Sequence, residues 1–256
     1  MRQWTAFIKK EGMELIRSGR LILLLLLFSL FGVMNPAIAK LTPWMMELLS
    51  DQLAESGMTV GVVEVDAMTS WMQFYKNMPM MLIVMVVIFG GIVVGELQKG
   101  TLIPIVAKGM KRRAVLGAKA LMTGLVWTGG CLISFVITYA YNAYFWDNSA
   151  VSYLFFAAFT FWLFGLWILS VILPASVCVR SAAAVILMTG VGFAAAYVLT
   201  VIPAVKPYSP MYLTGSMPLL LGEAAAGDYA AAVCVTAGLT ILNLLAGAWL
   251  FDRKQI

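Results

Sequence analysis

The apolar positions of this chain gather into six long runs, separated by stretches where charge, glycine or proline is concentrated. At about 1.5 Å per helical residue, roughly 20 residues cover the ~30 Å hydrocarbon core of a bilayer. The runs 21–39, 78–95, 114–142, 151–179, 181–202 and 229–251 meet or approach that length, and each is read as a membrane-crossing helix. Ahead of them, residues 1–18 follow a helical period. Trp4, Phe7, Ile8, Leu15 and Ile16 fall toward one side, and Arg2, Lys9, Lys10, Glu14 and Arg17 toward the other. This pattern predicts an interfacial amphipathic helix lying on the membrane surface. Between the fifth and sixth runs, Pro203, Pro207, Pro210 and Pro218 break an apolar stretch, which predicts a re-entrant or interfacial external segment. The expected fold class is all-α: a polytopic membrane protein forming one domain over 1–256.

Charge orients these spans. The stretch from Val94 to Lys119 carries Lys99, Lys108, Lys111, Arg112, Arg113 and Lys119 against the single acid Glu96. Lys40 to Asn77 is reversed, with Glu47, Asp51, Glu55, Glu64 and Asp66 against Lys40 and Lys76. With both termini cytoplasmic, fourteen Lys and Arg lie inside and three, Lys40, Lys76 and Lys206, outside. Trp4, Trp44, Trp71 and Trp146 then fall near the interfaces, as an aromatic belt would require. The four-residue steps Glu47, Asp51, Glu55 place a carboxylate row on one face of an external helix. Leu21 to Ala39, ending in Ala37-Ile38-Ala39, also resembles a secretory signal, but Glu11, Glu14 and the five later spans argue against cleavage.

Composition narrows the chemistry. A hydrophobic content of 62% with 11% charged residues does not suit a water-facing surface, and the net +5 is spread over membrane flanks, which disfavours nucleic-acid binding. The chain has no histidine, so histidine-based metal binding and general-base catalysis are excluded. Cys131, Cys178 and Cys234 each sit in an apolar run and are read as small packing residues. In GELQKGT, Lys99 precedes Gly100 and no GKS or GKT follows, so a P-loop is not available. Away from their ends the six runs carry no Asp, Glu, Lys or Arg, which weakens a proton- or sodium-coupled carrier. Asn35, Ser134, Thr138 and Asn243 are the candidate polar positions on a substrate path, although helix-packing hydrogen bonds are the alternative reading. Gly91 and Gly95 could permit close helix approach at a dimer seam.

Glu96, Gly100, Thr101, Lys108, Arg113 and Lys119, placed after the second span, resemble the E...GT...R..K signature of ABC-2 type ABC transporter permeases. The amino-terminal helix with Lys10, Glu11, Glu14, Arg17 and Arg20, the six spans and the broken segment before the last span resemble that family too. The proline-then-basic element often seen after the GT pair is replaced here by Lys108, Gly109, Met110 and Lys111, with Pro104 upstream. The resemblance implies a transmembrane subunit that is not itself an enzyme. A second permease chain, identical or homologous, and two cytoplasmic ATPase subunits carrying ATP and Mg would complete it. This chain would bind no cofactor and no metal. Residues 96–113 become a cytoplasmic coupling segment, with Gly100, Thr101, Leu102, Ile103, Pro104, Ile105, Val106 and Lys108 docking on the ATPase. Glu96, Lys10, Glu14, Arg17 and Arg113 become a coupling network. The implied location is a bacterial or archaeal cytoplasmic membrane.

The expected function is ATP-driven export of a hydrophobic or amphipathic compound such as a drug, antimicrobial peptide or lipid. The acidic external stretch supports an alternative: a non-transporting membrane sensor or immunity protein for a membrane-active antibiotic. A secondary carrier is a third.

Overall fold

The computed structural model describes the backbone of residues 2–55, 65–107 and 109–254, with side chains from Trp4 onward except for 49–55. The elements, in order, are α1 (Arg2–Arg17), α2 (Arg20–Glu55), α3 (Ala67–Phe89), α4 (Val94–Gln98), α5 (Leu102–Ala107), α6 (Arg112–Phe145), α7 (Leu154–Cys178), α8 (Ala182–Leu199), α9 (Met217–Leu220) and α10 (Ala230–Arg253). No strand occurs among the described residues. Six helical stretches are long and apolar enough to cross a membrane: Arg20–Leu48, Ala67–Gln98, Arg112–Phe145, Leu154–Cys178, Ala182–Leu199 and Ala226–Arg253. They mark a multi-pass membrane protein.

The central helix is α7, which touches α3, α6, α8 and α10, while α2 packs between α3 and α6. Around this centre the outward faces stay apolar: Leu26 and Leu30 of α2, Leu132 and Val136 of α6, Leu187 and Val191 of α8, and Leu242 and Leu245 of α10 are all exposed. Water would not tolerate so continuous an apolar girdle; acyl chains do.

The first span is longer than its apolar run. A stop near Ala39 is expected, but α2 continues through Lys40 to Glu55 past Pro36 and Pro43. Proline removes one donor and frees the carbonyl four residues back, here that of Gly32. Thr138 Oγ1 of α6 donates to that carbonyl at 2.9 Å. Lys40 is held in the helix by the Phe145 ring, 3.6 Å from its ammonium. Of the predicted carboxylate row, Glu47 is exposed on this extension, and the side chains of Asp51 and Glu55 lie outside the described residues.

The second span also starts early, at Ala67, because Asp66 caps it by accepting from Thr69 N–H at 2.8 Å. Trp71, expected at the interface, is instead fully buried and donates to Asn148 Oδ1 at 2.9 Å. Trp4 and Trp44 are exposed as a belt would have them. Close approach falls on Gly90, where a Cβ would meet Ile186 Cγ1 at 2.8 Å; Gly91 has ordinary contact and Gly95 meets nothing. Ser181 separates α7 from α8, its hydroxyl capping Ala184 N–H at 3.2 Å.

Residues 200–229 form short turns and the one-turn α9, as their prolines dictate. This segment closes the end of the bundle remote from α1. Ser209 Oγ donates to Ala196 O at 2.9 Å, Tyr229 OH donates to Gly215 O at 2.7 Å, and the Tyr212 and Tyr229 rings lie 4.7 Å apart.

Candidate functional site

At the α1 end, five charged side chains from three segments converge. On α1 the helical period brings Phe7, Glu11 and Leu15 to the buried face, so an acid sits between two hydrophobes. The chain leaves α3 through a turn at Gly90–Val93 and enters α4, whose first turn carries Glu96. Lys119 lies on the buried face of α6, seven residues past its start, with its side chain 1% exposed.

Together they form a closed ring of alternating charge. Lys119 Nζ lies 2.9 Å from Glu11 Oε2 and 2.9 Å from Glu96 Oε2. Lys10 Nζ lies 3.0 Å from Glu11 Oε1 and 2.7 Å from Glu96 Oε1. Each carboxylate thus gives one oxygen to each lysine. Glu14 joins from outside, 2.8 Å from Lys10 Nζ. Beneath the ring, the Phe7 centroid lies 5.3 Å from the Lys10 ammonium and 5.8 Å from that of Lys119. Taking such charges out of water costs several kcal/mol per ion, so the arrangement persists only because every member is paired.

The exposed edge of the ring titrates predictably. Burial pulls the Lys10 ammonium down, but the hydrogen bonds it donates to Glu14, Glu96 and Glu11 together raise it above its ordinary value. The hydrogen bond from Lys10 holds Glu14 below the usual carboxylate range. The Glu14 contribution is present above its unfolded value of 4.5 and is lost as pH falls through its lower folded value. The Lys10 contribution is complete below 10.5 and is lost only as pH rises through a higher value. The part of α1 docking that these two groups supply should therefore be flat between 4.5 and 10.5 and should weaken as pH falls below 4.5. Hydrogen exchange of α1 amides, corrected for its intrinsic pH dependence, checks this; a rise in exchange between pH 6 and 9 would contradict it.

The carboxylate oxygens of Glu11, Glu14 and Glu96 lie within 4.8 Å of one another, a spacing that a cation could bridge. Lys10 and Lys119 already occupy the positions between them, so the cluster is neutralised by its own ammonium groups.

The ring connects to α5 through a short path. Thr101 N–H and Oγ1 both reach Glu96 O, at 3.1 and 3.3 Å. Gly100 (φ +66°) and Gly109 (φ +87°) bracket α5, supplying left-handed backbone on both sides of it. Of the residues expected on its docking face, Thr101, Ile103 and Pro104 are exposed, and Gly100, Ile105 and Val106 are half-buried. Leu102, expected on that face, is fully buried, in one cluster with Phe7, Met110, Leu116 and Phe251. Lys108 lies outside the described residues.

The expected coupling network is only partly assembled. Lys10, Glu14 and Glu96 meet; Arg17 is exposed and joins no ion pair among the described residues. Arg113 pairs instead with Asp252 at the end of α10. Glu11 and Lys119, the most buried members, were not among the residues expected in this network. The signal for Glu11 was its helical register with Phe7 and Leu15, an apolar face on which an unpaired charge is costly, whereas Lys119 reads as part of the basic flank of its run.

The polar positions proposed for a substrate path do not share one space. Asn35, Ser134 and Thr138 are buried between α2 and α6, where Thr138 serves Gly32 and Asn35 Oδ1 accepts from Asn77 Nδ2 at 2.9 Å. Asn243 bridges α10 to Ser170 of α7 at 3.0 Å. No protein-family model matches the chain, and no curated protein matches it significantly.

Proposed function

We propose that this chain is the permease subunit of an ATP-binding cassette exporter of the ABC-2 type, working with a second permease chain and two cytoplasmic ATPase subunits that bind ATP and Mg. The observation that carries this is the linkage of α5 to the buried ring. The helix offers Ile103 and Pro104 to the aqueous side, while its neighbours Glu96 and Leu102 are anchored inside. A push on α5 is delivered through Thr101 and Glu96 to Lys10 of α1 and Lys119 of α6 together. No residue of the chain needs to touch ATP. The cargo is a hydrophobic or amphipathic compound, moved out of the cytoplasm or its facing leaflet.

Ile103→Asp tests the docking. It places a charge at a position that is 53% exposed, so the permease alone should keep its thermal stability. Capture of the partner ATPase should fall about 10- to 100-fold, as expected for losing one buried isoleucine contact. ATPase turnover should no longer respond to cargo. Unchanged capture together with unchanged cargo-stimulated turnover would remove α5 as the docking element.

A further inference from the structure

Between α6, α7 and α10 runs a groove of about 560 Å³, lined on α6 by Gly117, Ala120 and Gly124 and opposite them by Leu173 and Leu244. Along α6 it extends from Arg113 to Thr128. At 1.5 Å per residue that is about 22 Å, more than the ~15 Å of hydrocarbon in one leaflet. The small residues of α6 keep it open: a Cβ on Gly117 would meet nothing within 4 Å.

Its polar lining residues are already committed. Thr123, Thr128 and Thr240 each donate to the carbonyl four residues back, those of Lys119, Gly124 and Thr236. Ser170 donates to Trp167 O and accepts from Asn243. The groove therefore offers alkyl contact along its length and no free hydroxyl donor.

The end near α1 differs in kind. Arg113 and Trp4 line it. There the start of α6 and the end of α10 are bound together, Arg112 to Asp252 O and Lys254 O, and Arg113 to Asp252. With Lys111 and Arg253, this junction carries five cations and the single acid Asp252. The Arg113 side chain is 65% exposed, and only its Nε is engaged among the described residues.

We propose that this groove holds one acyl chain of an anionic phospholipid from the leaflet at the α1 end, with the lipid phosphate against Arg113. An alkyl channel of leaflet length selects a lipid tail, and the basic mouth selects the headgroup charge. The site is independent of the exporter reading, since it uses neither α5 nor an ATPase.

The test is native mass spectrometry of the delipidated, detergent-solubilised full chain, titrated separately with phosphatidylglycerol and phosphatidylcholine bearing identical acyl chains. Phosphatidylglycerol should bind about tenfold more tightly. Arg113→Gln, an exposed position, should lower that preference about fivefold. Gly117→Leu, which fills the open space, should weaken both lipids about tenfold. Equal affinities for the two headgroups would overturn the proposal, as would a Gly117→Leu protein that binds both lipids like the wild type. So would full headgroup preference in Arg113→Gln.

Discussion

Lys119→Met should cost about 3–5 kcal/mol of stability, because it leaves Glu11 and Glu96 facing each other in a nearly dry site with only Lys10 between them. The two carboxylates are 4% and 12% exposed, so water cannot take over the missing role. For a chain of this size the midpoint of thermal unfolding should fall by roughly 6–20 °C. The triple variant Lys119→Met, Glu11→Gln, Glu96→Gln should recover most of the stability, since it replaces a broken ring by neutral groups. If Lys119→Met unfolds like the wild type in detergent, or the triple variant is no better than the single one, the ring is not what holds α1 to α4 and α6.

Gly165→Val should be nearly as damaging, for a steric reason. Any Cβ at position 165 of α7 would lie 2.2 Å from Cζ2 of Trp127 on α6, inside its van der Waals surface. That indole cannot step aside easily. It is fully buried, donates to Trp162 O at 3.0 Å and has the Phe28 ring of α2 6.0 Å away. The cost should reach or exceed the ~1–3 kcal/mol typical of overpacking. Gly117→Ala on α6 is the control, with no neighbour within 4 Å; it should be neutral or stabilise by up to ~1 kcal/mol through helix propensity. Trp127→Phe should restore part of what Gly165→Val loses, and a double-mutant cycle of thermal midpoints measures the coupling. Additive losses would show that the α6–α7 contact is softer than its geometry.

Much of this architecture is visible in the chain itself, because a membrane helix needs only length and apolarity and both are local properties. The six spans, the amphipathic α1 and the proline-broken segment near residues 203–218 follow from such patterns. What is not local is harder to see. The continuation of α2 past Pro36 depends on Thr138, more than a hundred residues later, supplying a donor to Gly32. Leu102 looks like any other apolar residue of LIPIV until Phe7 and Phe251 are found around it. Lys119 reads as the last basic residue of a cytoplasmic segment, and only the placement of Glu11 and Glu96 shows it to be an internal ion. Residue type announced the charges of Glu11, Glu96 and Lys119; only tertiary proximity gave those charges each other.

Chain order gives the charge ring a timetable. Lys10 and Glu11 are synthesised first, Glu96 about a third of the way along and Lys119 last. Until α6 is made, Glu11 has only Lys10 of its two final partners. The amino-terminal helix is therefore committed to its buried berth late, after α6 arrives.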